Sequence, residues 1–161
     1  WAIHTLNSIP SGMSAGNGGL AAALRAFRSL LRPGGFGFIA ITTAESHYAR
    51  FHALYHREFG PGSSLAAASA GAGSSFYTNA RGPLTCAEHV VAALTARSVA
   101  HNRVDHAHVT AVPAGDRRRL EAFLHGCAGD DAVSLDTMLA NPRIGAYLAS
   151  CRTPEGGYYT F

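Results

Sequence analysis

The chain predicts an α/β fold built on a parallel sheet, and three observations carry that reading. A helix with one apolar stripe ends in Leu30-Leu31-Arg32-Pro33-Gly34-Gly35, a reversal follows at the Pro-Gly-Gly, and an apolar run then spans Phe36 to Ile41. Strands covered on both faces by helices read as continuous apolar runs, which is the signature of a central parallel strand.

The first element is Trp1-Ala2-Ile3-His4, read as the tail of a strand, and because no methionine precedes it the chain is expected to begin in mid-fold. Glycines 12, 16, 18 and 19 come next. No lysine and no adjacent strand accompany them, so they match neither a P-loop nor a GxGxxG fingerprint. From Gly18 to Leu31, Leu20, Leu24, Phe27 and Leu31 recur at helical spacing, with Arg25, Arg28 and Arg32 turned elsewhere. After the predicted strand Phe36 to Thr42, an aromatic stripe of Tyr48, Phe51, Tyr55 and Phe59 predicts a second helix, stopped by Gly60-Pro61-Gly62. Residues 60–82 are rich in glycine, serine and alanine and are expected to form a flexible loop.

Thr85-Cys86-Ala87-Glu88 has capping-box spacing and opens a third helix through Val90, Val91 and Leu94, ending near Ala100. Val104 to Val112 alternates over His106, His108 and Thr110, as a strand with one more polar face would. Helices are predicted at Asp116 to His125, Ser134 to Ala140 and Pro142 to Cys151. Tyr158 to Phe161 closes the chain as an aromatic strand. The whole is expected to form a single partial domain, residues 1–161.

Composition narrows the function. All 13 basic residues are arginine, set against 10 acids for a net charge of +3, and 47% of the 161 residues are hydrophobic. No basic block exceeds Arg117-Arg118-Arg119, which reads as the solvated first turn of a helix, so no nucleic-acid partner is expected. Cys86, Cys127 and Cys151 are odd in number and widely spaced, which indicates neither a disulfide framework nor a zinc knuckle. A cytoplasmic setting is the default. No apolar run approaches the ~20 residues that span a bilayer, so no membrane partner is expected. His101, His106 and His108 lie close in sequence. Only His106 and His108 share a strand face, and no carboxylate joins them, so no metal site is expected.

In parallel α/β sheets, ligands bind at the carboxyl ends of the strands. Ile3, His4, Asn7 and Ser8 fall on that rim, and the helix after the Phe36 strand brings His47, Tyr48 and His52 to the same side. Tyr48 and His52 are four apart and share a helix face. Residue spacing alone is equally compatible with ordinary capping and packing.

Trp1-Ala2-Ile3-His4-Thr5-Leu6, the helix ending in Leu30-Leu31-Arg32-Pro33-Gly34-Gly35 and the Ile39-Ala40-Ile41 strand resemble the C-terminal half of class I S-adenosylmethionine methyltransferases. The order of elements is similar to that of the histamine N-methyltransferase family: an aromatic helix straight after the Pro-Gly-Gly strand, a helix resembling Leu120-Glu121-Ala122-Phe123-Leu124, and a final aromatic strand. The resemblance implies the C-terminal part of a Rossmann-like methyltransferase sheet (β-α-β-α, inserted helices, then a terminal pair of strands). The cofactor-binding N-terminal strands, which carry a glycine-rich loop and an acidic strand end, would lie in a missing N-terminal half of the same domain.

The implied cofactor is S-adenosylmethionine and the implied substrate a small-molecule amine. Ile3 would touch the cofactor. His4 stands where the family uses a glutamine to bond the substrate amine, Asn7 where it has an aromatic pocket residue, and Tyr48 and His52 where two tryptophans wall the site. Near Gly156 and Gly157 the family has a substrate-binding asparagine, so Gly157 falls on the substrate side. Catalysis would rest on alignment and on a proton acceptor, for which His4 or His52, with an ordinary pKa of about 6.5, is suited. A catalytically silent methyltransferase-like interaction domain is the alternative that the His4 and Gly157 departures fit. A nicotinamide-dependent reductase fits less well, since the chain has no lysine for a serine-tyrosine-lysine set.

Overall fold

The computed structural model describes residues 18–60 and 84–161. In chain order they form α1 (Gly18–Ser29), α2 (His47–Phe59), α3 (Ala87–Thr95), β1 (Ala111–Pro113), α4 (Arg117–Ala128), α5 (Leu135–Ala140), α6 (Pro142–Ser150) and β2 (Tyr158–Thr160). The fold is mixed α/β. None of these helices is long and apolar enough to cross a membrane. The predicted strand at Trp1 to His4 and the predicted loop, except Gly60, lie outside the described residues.

The described residues fall into two compact units. The first holds those up to Ser46 and from Leu84 to Asp105; the second holds His47 to Gly60 and His106 to Phe161.

In the first unit α1 packs against α3. Ala21 and Leu24 are buried on the inner stripe of α1, and Ala87 and Val90 on that of α3. The helix stops two residues before the predicted end, leaving Leu30 exposed. The α3 cap also differs from the expected one. Cys86 is the N-cap, and its amide donates to His89 Nδ1 at 3.0 Å. Glu88, predicted to close the capping box with Thr85, instead accepts from the Ala44 amide and from Arg103.

The larger correction is at Phe36 to Thr42, which forms no strand among the described residues. Phe36 and Phe38, expected inside, are exposed. A strand is defined by its ladder to a neighbour, and no described backbone offers its edge to this run; only Thr42, at its end, is engaged, its carbonyl accepting from the Ala87 amide at 2.9 Å. Pairing, rather than the apolar content of the run, is what it lacks.

The second unit is built on α2. Phe51 and Tyr55 from its aromatic stripe are fully buried among Leu120, Leu124, Met138, Ile144 and Leu148, and Tyr48 and Phe59 flank them half-buried. Fully burying one such side chain is worth about 1.5–3 kcal/mol, so Phe51 and Tyr55 anchor α2 to this core. Each short helix has a local start signal. Asp116 accepts from the Arg119 amide to open α4, Ser134 accepts from the Thr137 amide to open α5, and Asn141 precedes Pro142 to open α6. α4 runs three residues past the predicted end, until Gly129 takes the left-handed conformation at φ 65°.

β1 and β2 pair antiparallel with Val112 opposite Tyr159, the only sheet among the described residues. Thr110 and Phe161 extend the pairing with two reciprocal backbone bonds of 2.9 and 3.0 Å. The predicted strand from Val104 is therefore reduced to its last residues. Val104, His106, His108 and Val109 are exposed and join no ladder among the described residues, because β2 is too short to reach them.

Candidate functional site

Ile3, His4 and Asn7 lie outside the described residues, so the site that can be described is the set Tyr48, His52 and Gly157, all in the second unit. Tyr48 is half-buried against the core cluster. His52, one turn on, is 5% exposed. Gly157 is exposed in the turn that enters β2, and its carbonyl accepts from the Ala114 amide at 2.9 Å. The structure thus places Tyr48 and His52 on neighbouring turns of one helix, as the spacing predicts, and puts Gly157 at a turn it helps to close.

The His52 imidazole lies 4.3 Å from that of His56. His56 donates from Nε2 to the Ala128 carbonyl at 2.9 Å, which ties α2 to the end of α4. Burial, and next the neighbouring His56, lower the pKa of His52 to about 4. A neutral, enclosed imidazole is suited to packing and poorly placed to exchange protons with a ligand.

At the start of α2 the structure assembles a group that sequence spacing did not bring together. His47 Nδ1 lies 2.8 Å from Tyr147 Oη, the Tyr147 hydroxyl donates to the His47 carbonyl at 3.2 Å, and Cys151 Sγ is 3.8 Å from the same Nδ1. Both the tyrosine and the cysteine engage the ring on its Nδ1 side. Phe161 sets its ring edge-on to the imidazole, 6.2 Å between centroids. The signal that could have found this group is the four-residue spacing of Tyr147 and Cys151, which places both on one face of α6.

Cysteine beside histidine invites a nucleophilic reading, and the environment opposes it. Cys151 is buried, burial raises its pKa, and it caps the C-terminus of α6, where the helix dipole disfavours a thiolate. Burial likewise raises the Tyr147 pKa. The trio holds neutral partners and fixes an exposed imidazole. Of the histidines on α2, His47 is the one whose ring is both held at one nitrogen and open to solvent.

Among the described residues no group of three or more His, Cys, Asp or Glu side chains is arranged to hold a metal ion. At the Pro-Gly-Gly turn Gly34 sits at φ 75° and a Cβ built there would meet nothing within 4 Å, so this turn shows no cradle for S-adenosylmethionine. Comparison with protein-family models, curated proteins and solved structures finds no match to this chain.

Proposed function

We propose that the chain is part of an S-adenosylmethionine-dependent methyltransferase domain that transfers a methyl group to a small-molecule amine. The observation that supports this best is the antiparallel pairing of Ala111–Pro113 with Tyr158–Thr160 across three intervening helices. The resemblance calls for inserted helices and then a terminal pair of strands, and a paired strand at the end of the chain supports that reading. The aromatic helix α2, following directly on the apolar run after the Pro-Gly-Gly turn, supports it as well.

In this reading Tyr48 walls the substrate side, His4 accepts the amine proton, and Ile3 meets the cofactor. The Pro-Gly-Gly turn offers the cofactor no cradle, so in this reading its contacts fall to Ile3 and to the rest of the same domain, the partner this reading requires. The exposed, held imidazole of His47 is a second candidate proton acceptor on the same helix end. The test is mass-spectrometric detection of methylated product from a panel of small amines incubated with the complete open reading frame and S-adenosylmethionine. Product that disappears in His4→Ala supports the assignment; unchanged turnover in that variant removes His4 from it.

A second reading, a catalytically silent interaction domain, is favoured by the burial of His52. One of the two positions that should wall the substrate site is closed off and packed on His56 instead.

A further inference from the structure

The first unit carries a surface that methyl transfer does not use. Beyond α1 the chain runs from Gly35 to Thr43 without helix, turn or bend, which leaves it close to extended. Within it Phe36 is 93% exposed and Phe38 is 64% exposed, and Leu30 just before the turn is 81% exposed. Side chains two apart on an extended chain share a face, and Phe36 and Phe38, two apart, are both exposed. Gly37 between them lies against the Phe27 ring, so close that a Cβ would come within 2.4 Å of it. That contact leans the run on α1. No backbone hydrogen bond is made by Phe36 to Ile41 among the described residues.

Along residues 18–44 the charge has one sign. Arg25, Arg28 and Arg32 are exposed at helical spacing along α1 and its end, and no Asp or Glu occurs between residues 18 and 44. At the far end Glu88 is already engaged by the Ala44 amide and by Arg103.

We propose that Phe36 to Ile41 binds an extended segment of a partner protein, apolar at alternate positions and acidic at one end, which adds to this edge as a strand. Open amides and carbonyls ask for a second backbone, alternate phenyl rings ask for alternate apolar side chains, and the arginines ask for carboxylates. A lipid surface is the other partner that aromatic and basic groups attract. Inserting Phe36 and Phe38 into lipid would take the unpaired peptide groups of 36–41 with them, which a bilayer cannot satisfy. The open backbone therefore selects a peptide. The proposal rests on the second reading above, an interaction domain. Cofactor calorimetry decides that reading and peptide titration decides this surface, so either can fail while the other stands.

The experiment titrates the full chain into a fluorescent peptide of alternating valine and threonine ending in two aspartates, with the same peptide ending in two lysines as control. Amide exchange of residues 36–41 is followed in parallel. Expected are protection of those amides on binding and affinity about tenfold weaker for the lysine-ended peptide. A similar loss is expected in Phe36→Ser/Phe38→Ser and in Arg28→Gln/Arg32→Gln, with helix content unchanged by circular dichroism. Equal binding of both peptides, no binding of either, preferential capture by phosphatidylcholine-phosphatidylserine vesicles, or amides at 36–41 already protected in the free chain would each overturn it.

Discussion

His52 and His56 set their rings 4.3 Å apart, tilted to each other, on successive turns of α2, one enclosed and the other tied by Nε2 to the Ala128 carbonyl. The pair makes the second unit sensitive to acid. In the unfolded chain His52 takes a proton near its ordinary pKa of 6.5, whereas in the folded unit burial and His56 hold it at about 4. Between those values the unfolded state binds more protons, so stability is full above the unfolded pKa and is lost as pH falls toward the folded one. Urea unfolding should give about 2 kcal/mol less stability at pH 5 than at pH 7, and His52→Leu should flatten that difference. An unchanged slope in His52→Leu would assign the acid sensitivity to other groups.

Gly129 and Gly126 should respond in opposite directions to the same change. Gly129 ends α4 at φ 65°, a conformation that costs any residue with a Cβ. Gly126 lies inside the helix with nothing within 4 Å of a would-be Cβ. Gly129→Ala should destabilise by about 1 kcal/mol, and Gly126→Ala should stabilise by roughly 0.5–1 kcal/mol. Thermal unfolding of the two variants side by side checks both signs.

Asn141 is the most constrained polar residue of the second unit. It is buried, its Oδ1 accepts from the Arg143 and Ile144 amides at 3.0 and 3.1 Å, and its Nδ2 donates to Glu58 Oε2 at 3.2 Å. That donation is the leading cause of the lowered Glu58 pKa. Asn141→Ala should cost about 1–2 kcal/mol through loss of the cap. Asn141→Asp keeps an acceptor for the cap but sets a second carboxylate against Glu58. Its deficit should therefore shrink as pH falls below the carboxylate range, which denaturant midpoints at two pH values would show.

Legibility followed the range of the interaction. The aromatic stripe of α2 was readable because helical burial repeats locally, and Phe51 and Tyr55 are indeed its buried members. Ser134, the predicted start of its helix, was a local signal too; Asn141, which caps α6 within three residues, was not read. Phe36 to Thr42 was misread because apolar content says nothing about whether a neighbouring strand is there to pair with it. Glu88 at the α3 cap was misread because Ala44 and Arg103, remote in sequence, compete for its carboxylate. In the candidate site the shared helix of Tyr48 and His52 was legible. The enclosure of His52, and the meeting of His47 with Tyr147 a hundred residues away, depend on tertiary packing that no spacing records.

The central claim, membership of a methyltransferase domain, is tested most directly by calorimetry on the complete open reading frame with S-adenosylmethionine and S-adenosylhomocysteine. Saturable heat is expected for both ligands. Absence of heat for either would contradict it and favour the silent interaction domain.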